Sequence, residues 1–216
     1  MKGNELNCPL CSYVCHPFID PQKETKYYHC GHCQLIFKSP LNYQTFSEQK
    51  MRYDLHQNNE ENDGYRAYFR RFLDFVLENI DDVEYALDFG CGASTLLAKI
   101  LGEEKIACDV FDPIYHPDRS YMEHRYDLIV SVEVFEHLHD PKGIFEHLLG
   151  RLKDGGYLAI QTEFSSHDTE EFLKWYYRLD PTHIMFFREN TFRYLSDLYG
   201  CNYRTDNGKN ILIIQK

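Results

Sequence analysis

Residues Tyr85 to Thr95 read "YALDFGCGAST": a short apolar run ends in an acid, Asp88, and a glycine turn opens at Gly90. Glycine turns after strands usually cradle phosphate, because the main chain can come close and its N–H groups face the anion. A dinucleotide turn uses G-x-G-x-x-G. Here Gly90 and Gly92 are followed by Ala93, Ser94 and Thr95, so the third glycine is missing. The Asp88 carboxylate would also repel a diphosphate: like charges about 4 Å apart at an effective dielectric near 20 cost about 4 kcal/mol. An acid at this lip makes sense for a ligand that is positive there, such as a nucleoside carrying an amino group and a sulfonium. The same two features disfavour nicotinamide chemistry.

Working outward, strand and helix patterns alternate. Strands are expected at "EYALDF" (84–89), "KIACDVFD" (105–112), "YDLIVSVE" (126–133) and "YLAIQTE" (157–163). Helical stretches lie between them, "STLLAKIL" (94–101) and "KGIFEHLLGRLKD" (142–154), the second closed by Gly155–Gly156 as a stop. Ahead of them, Tyr65, Tyr68, Phe69, Phe72, Phe75, Val76 and Ile80 recur near helical spacing. Near-continuous apolar strands alternating with helices predict an α/β fold with a doubly wound, mostly parallel sheet. A last helix near 189–199 precedes "YRTDNGKNILIIQK", where Asn207–Gly208 signals a two-residue hairpin. The final two strands are therefore expected to pair antiparallel at the sheet edge.

The first forty residues follow different rules. "CPLC" (Cys8, Cys11) and "CGHC" (Cys30, Cys33) give C-x2-C-x18-C-x2-C, a spacing that suits a structural zinc site. Four thiolates close a tetrahedron and leave no open position for catalysis. Cys15, His16, His29 and His32 lie near enough in sequence to replace a ligand. A pair of disulfides is the bland alternative, disfavoured in a reducing compartment. The chain thus divides into a zinc-ribbon-like module at 1–40, a polar linker or lid segment at 41–64 and the α/β domain at 65–216.

The net charge of the 216 residues is −11, and no basic stripe is visible. Proteins that grip nucleic acid by neutralising phosphates usually show one, so nucleic acid is a disfavoured partner. Neither a basic-then-apolar leader nor an apolar run of membrane-spanning length is present. No membrane association and a cytoplasmic location are the expectations. Aromatics reach 15%, which serves a core first and a pocket for a flat ligand second.

At this point the sequence resembles the class I S-adenosylmethionine-dependent methyltransferases. "LDFGCGAS" resembles their first motif and "DVFDP" their second-strand motif. "YDLIVSVEVFEHLHDP" resembles the fourth-strand motif common near ubiquinone and small-molecule methyltransferases, and "LKDGGYLAIQTE" the helix-glycine-strand unit that follows. The resemblance covers roughly residues 65–216. It implies S-adenosylmethionine as cofactor, with contacts from Asp88, the main chain of Gly90, Cys91 and Gly92, and Glu133. Asp112, twenty residues beyond Gly92, would take the ribose hydroxyls, with Asp109 as the alternative on the same strand. The sequence departs from the family in that only thirteen residues separate Asp112 from Tyr126. The third strand is therefore expected to be shortened or absent, and no residue is assigned to the adenine.

Methyl transfer from a sulfonium has a good leaving group, so positioning supplies much of the catalysis and a base is needed only where the acceptor must lose a proton. His183, in the turn "DPTH", and His137, just past the fourth strand, are the catalytic candidates. Trp175 and Tyr176 are candidate pocket aromatics, and His56, Asn59 and Tyr65 candidate lid residues. For each the bland reading is local packing or a solvated face. The expected reaction is methylation of a small-molecule acceptor. The alternative is a ribosomal or transfer RNA acceptor recognised by the zinc module, since one ribosomal RNA methyltransferase group also begins near "CPLC". A protein acceptor or a catalytically silent interaction protein completes the field.

Overall fold

A computed structural model describes residues 5–54 and 63–216. The elements in chain order begin with β1 (Leu6–Asn7), β2 (Val14–Ile19), β3 (Lys26–His29) and β4 (Ile36–Lys38). Two helices follow, α1 (Phe46–Asp54) and α2 (Asp63–Leu77). Then come β5 (Tyr85–Phe89), α3 (Leu96–Glu103), β6 (Ala107–Phe111), β7 (Tyr126–Val132), α4 (Pro141–Arg151) and β8 (Leu152–Gln161). The chain ends with α5 (Thr169–Lys174), β9 (Met185–Phe186), α6 (Glu189–Tyr199), β10 (Asn202–Asp206) and β11 (Ile211–Gln215).

The main sheet has the order β10-β11-β8-β7-β5-β6. The four strands from β8 to β6 are parallel, and β11 and β10 add antiparallel at one edge. Successive side chains of a strand point to opposite faces, and the core divides accordingly. Ala86, Leu128, Val130, Ala159, Ile211 and Ile213 face α2 and α3. Leu87, Ile129, Leu158, Ile160, Leu212 and Ile214 face α4, α6 and the cysteine-rich segment. The helical spacing of Phe69, Phe72, Leu73 and Val76 is what seats α2 on the first face. No helix among the described residues is long and apolar enough to cross a membrane.

The thirteen residues after Asp112 form no strand, so β6 is the sheet edge and the third strand is absent among the described residues. They close instead as an Asp112–His116 bridge and a 3-10 turn at Ser120–Glu123 that buries Tyr121.

Two local readings are corrected. The Gly155–Gly156 pair does not stop α4, which ends at Arg151; it lies inside β8 as a bulge. Pairing jumps from Tyr126↔Leu152 to Leu128↔Tyr157 across it. Gly155 takes φ +81°, and a Cβ on Gly156 would meet three carbonyl oxygens at 3.1 Å. The terminal hairpin turns through four residues, 207–210, rather than two. Asn207 Oδ1 accepts from the backbone N–H groups of Lys209, Asn210 and Ile211 at 2.9–3.0 Å, which fixes the wider loop.

A second sheet, β1-β2-β3-β4-β9, joins the N-terminal segment to the C-terminal half. Ile36 pairs with Phe186 and Phe37 with Met185. Lys38 N–H donates to Ile184 O at 2.8 Å. This sheet holds the chain just after "DPTH" against the cysteine-rich segment.

Candidate active site

Above the carboxyl ends of β5, β6 and β7 lies a cavity of about 930 Å³. Ligands of open α/β sheets bind at such strand ends. Its floor is the glycine turn. Gly90 takes φ +83° and Gly92 φ +65°, and a Cβ on Gly90 would collide with the Val134 side chain. The turn is tied to β6: the N–H groups of Gly90 and Cys91 donate to Phe111 O at 2.7 and 3.2 Å. Gly92 N–H donates to Asp112 Oδ2 at 3.2 Å, and Asp112 Oδ1 accepts from Ile114 and Tyr115 N–H. Asp112 thus stands at the cavity wall with both oxygens oriented. Asp109 is not among the lining residues; its Oδ2 accepts from the Tyr85 and Tyr126 hydroxyls.

Asp88 lines the cavity and is 2% exposed. Burial, and then the nearby charge of Asp112, push its carboxyl up to about 8. Beside it an apolar and aromatic wall is built by Phe89, Phe111, Tyr121, Leu138 and Ile144, with His147 accepting or donating to the Tyr121 hydroxyl at 3.1 Å. A nucleoside fits this set: a main-chain turn with no side chains in the way, one acid for hydroxyls, one for positive charge, and an apolar slot.

The other end of the cavity holds His137 and His183, their ring centroids 4.8 Å apart. His137 lies in the 3-10 turn after β7, His183 after the Asp180–Thr182 turn, in which Asp180 Oδ1 accepts from Thr182 N–H and Oγ–H. His137 Nδ1 meets Thr182 O at 3.1 Å and His183 Nδ1 meets Tyr177 O at 2.8 Å. A carbonyl only accepts, so both Nδ1 atoms carry the proton and both Nε2 lone pairs are left for other use. Burial, followed by repulsion from His137, pulls His183 down to about 3, and burial lowers His137 as well, so both rings are neutral near pH 7.

Glu133 sits at φ +55°, a left-handed conformation that is strained for a non-glycine residue. It lines the cavity, and its two oxygens accept from Tyr68 and Tyr177 hydroxyls at 2.9 Å each. Burial, then the neighbouring Glu136 charge, push it up to about 8. Over the cavity, α1 and the turn before it contribute Gln44, Phe46, Gln49 and Tyr53. Tyr65 lines it too, whereas His56 and Asn59 lie outside the described residues.

Residues 60–205 match the family described as "Methyltransferase domain". The chain belongs to that family. Its fold resembles an O-methyltransferase family protein from Burkholderia thailandensis, at TM-score 0.57 and 15% identity over 78% of this chain. This chain spans 62% of that protein's length. It also resembles a SAM dependent methyltransferase from Archaeoglobus fulgidus, at TM-score 0.53 and 16% identity over 76% of this chain and 99% of the other. The third likeness is mitomycin 7-O-methyltransferase, at TM-score 0.50 and 14% identity over 79% and 67%. No curated protein matches it in sequence.

The cavity of this methyltransferase-family chain brings together Asp88, Gly90, Cys91, Gly92, Asp112, Glu133, His137 and His183. Trp175 and Tyr176 are not among the lining residues: Trp175 stacks on Tyr177 at 5.0 Å and packs on Phe172, and Tyr176 is 67% exposed. Tyr177 does not line the cavity either; buried behind it, it acts on the wall through its hydroxyl on Glu133. Sequence reasoning also missed Glu136, which is fully buried with Oε2 accepting from Thr162 Oγ–H at 2.8 Å. The "EVFEH" spacing was the available signal: a buried acid three residues after Glu133, in the turn that carries His137.

The four cysteines of the N-terminal segment converge. Cys8 and Cys33 sulfurs are 3.4 Å apart, as are those of Cys11 and Cys30, and all four lie within 4.8 Å of one another. Tetrahedral zinc with bonds of about 2.3 Å spaces its sulfurs about 3.8 Å apart. The two halves repeat one geometry: Ser12 N–H donates to Cys8 O and Gln34 N–H to Cys30 O, with Ser12 and Gln34 both at positive φ. All eight cysteines are free thiols, so no disulfide competes. Burial pushes Cys11 up to about 11, a cost that thiolate coordination removes. The set fits a structural zinc. Cys15 donates to Tyr13 O, His16 faces Glu5 at the surface, and His32 stacks on Tyr13 and meets Tyr194 edge-on; with His29, they stand outside the cluster.

Proposed function

We propose that the chain methylates a small-molecule acceptor held at the His137–His183 end of the cavity, with Cys8, Cys11, Cys30 and Cys33 binding one structural zinc. S-adenosylmethionine supplies an electrophilic methyl group on a positive sulfur. The chain's part is to hold both reactants in line and exclude water. Asp112 takes the ribose hydroxyls, the Gly90–Gly92 main chain carries the cofactor's amino-acid end, and Asp88 answers its positive charge. Glu133, fixed by Tyr68 and Tyr177, closes the wall between the two halves. His183 and His137 turn bare Nε2 atoms to the acceptor, as a base or as orienting groups.

The observation that carries a small acceptor is the lining itself. α1 lines the cavity, and among the described residues its lining has one basic side chain of Lys or Arg type, Arg119, against Asp88, Asp112, Glu133 and Asp180. A groove that tracks a nucleic-acid backbone needs the reverse balance. Its volume lies in the range of small-molecule sites, about 300–1,000 Å³. The test supplies methyl-labelled cofactor with either a metabolite extract or total RNA. Label is expected in the acid-soluble small-molecule fraction. Label in RNA, lost as salt is raised, would overturn the reading in favour of the RNA alternative.

Asp88 makes a second prediction. With the cavity empty its carboxyl is held up to about 8, so it carries a proton at neutral pH; a cationic ligand favours the charged form. Cofactor binding below pH 8 should therefore release a proton, and affinity should rise with pH and level off above 8. Calorimetry at pH 7 in buffers of different ionisation enthalpy should show up to one proton released per cofactor. Asp88→Asn should abolish that release and weaken binding by about 2 kcal/mol, roughly thirtyfold. Unchanged affinity in the variant would remove Asp88 from the cofactor's charge.

A further inference from the structure

Three groups at the acceptor end are arranged in a way that proton transfer alone does not explain. Glu136, His137 and His183 each bring a ligand atom within 4.8 Å of the other two, and Glu136 Oε1 stands 3.7 Å from His137 Nε2. Glu136 is 0% exposed, and its Oε1 accepts no hydrogen bond from the described residues. A buried carboxylate oxygen without a partner bears its desolvation uncompensated. Both imidazoles are held by Nδ1–H donation to carbonyls, Thr182 O and Tyr177 O, which leaves both Nε2 lone pairs for a ligand. Donation from the far ring nitrogen to a carbonyl or carboxylate is how metal-ligating histidines are held. Ligand atoms about 2.1 Å from a cation stand about 3 Å apart when adjacent and about 4.2 Å apart when opposed, which small side-chain rotations reach here.

We propose that Glu136, His137 and His183 bind a divalent first-row cation, which in turn holds an acceptor through two adjacent oxygens. Two imidazoles and one carboxylate on one side of an ion leave open positions on the other, and that side is the cavity. A catechol or vicinal diol fills two such positions, and the cation lowers the pKa of the bound hydroxyl. His183 then orients the acceptor through the metal rather than taking its proton. This substrate class rests on the small-molecule reading above; the cation site does not.

The test uses the full chain with its cysteine site zinc-filled. Manganese is the probe, because hard Mn²⁺ does not displace zinc from four thiolates. Electron paramagnetic resonance of free Mn²⁺ should show one equivalent bound. Glu136→Gln and His183→Gln should each weaken binding at least tenfold, and His124→Gln, on an exposed turn, should leave it unchanged. Calorimetry with S-adenosylhomocysteine on the same samples reports folding of the variants and the cofactor site separately. Adding catechol should lower the water-proton relaxation enhancement of the bound Mn²⁺. Absence of a bound equivalent, or equal binding in a folded His183→Gln, would overturn the site. Mn²⁺ bound with no response to catechol would overturn the acceptor class alone.

Discussion

Cys30→Ser, or removal of metal by a chelator, is expected to unfold the first forty residues and to silence methyl transfer while sparing the cofactor. The segment's buried side chains, Leu10, Tyr28, Leu35 and Phe37, pack in the core shared with the α/β domain, and a structural zinc supplies on the order of 10 kcal/mol to such a module. The damage should travel along a defined route. β4 is hydrogen-bonded to β9, and Lys38, buried and pulled down to about 8 by desolvation, donates to the Asp180 and Pro181 carbonyls. Ile184, bonded to Lys38 through its carbonyl, donates its own N–H to Glu136 O at 2.8 Å. Loss of β4 therefore frees the strand and turn that place His183 and Glu136. The glycine turn and Asp112 depend on β5 and β6 and should hold. Metal analysis should find one zinc per chain. Hydrogen exchange after chelation should accelerate at residues 35–38 and 184–186 and stay slow at 86–89. S-adenosylhomocysteine affinity should change less than about threefold, since distant sites add independently. Uniform exchange before and after chelation would refute the structural role, and so would a protein free of zinc.

What the sequence reveals here follows the range of the physics. The glycine turn, Asp112 and the cysteine pairs are local: each is an acid, a glycine or a thiol at fixed spacing, and the chain between those residues is too short to place them elsewhere. The alternation of β5, α3, β6, β7, α4 and β8 is legible for the same reason. The choice between Asp109 and Asp112 is not, because it depends on register: Asp109 is taken up by tyrosines of β5 and β7, the strands to one side of it. The Gly155–Gly156 bulge mimics a helix stop because glycine permits both, and only the neighbouring strand decides. The β4–β9 pairing joins residues about 150 positions apart, and the Glu136 carboxylate gains its meaning from a histidine 47 positions later. Periodicity carries no information at those separations. Trp175 and Tyr176 are aromatics beside a turn, but which of three consecutive aromatics is turned inward is set by the 3-10 turn at Tyr176–Leu179, and it buries Tyr177 with its hydroxyl on Glu133.

The same long-range wiring makes Asp20→Asn the most destabilising single change expected away from the cysteines. Asp20, 1% exposed at the turn after β2, meets Arg178, 5% exposed, at 2.6 Å. The pair is satisfied all round: Asp20 Oδ1 accepts from Gln22 N–H, and Arg178 Nε–H donates to Leu173 O at 2.9 Å. Taking two charges out of water is expensive, and such a pair breaks even only with good geometry. Removing one partner strands the other, which typically costs 3–5 kcal/mol. Arg178 follows Tyr177, whose carbonyl holds His183 and whose hydroxyl holds Glu133. A guanidinium driven toward solvent would pull that turn with it, so acceptor turnover should fall along with stability. Arg178→Met should cost a similar amount, because it leaves the Asp20 carboxylate, 1% exposed, buried without its partner. The double variant, Asp20→Asn with Arg178→Met, should be more stable than Asp20→Asn alone, since no charge is left buried. Urea midpoints for the four proteins give the cycle. A loss under 1 kcal/mol for Asp20→Asn would mean the pair is hydrated in solution, and the first sheet would then be joined to the acceptor turn by backbone pairing alone.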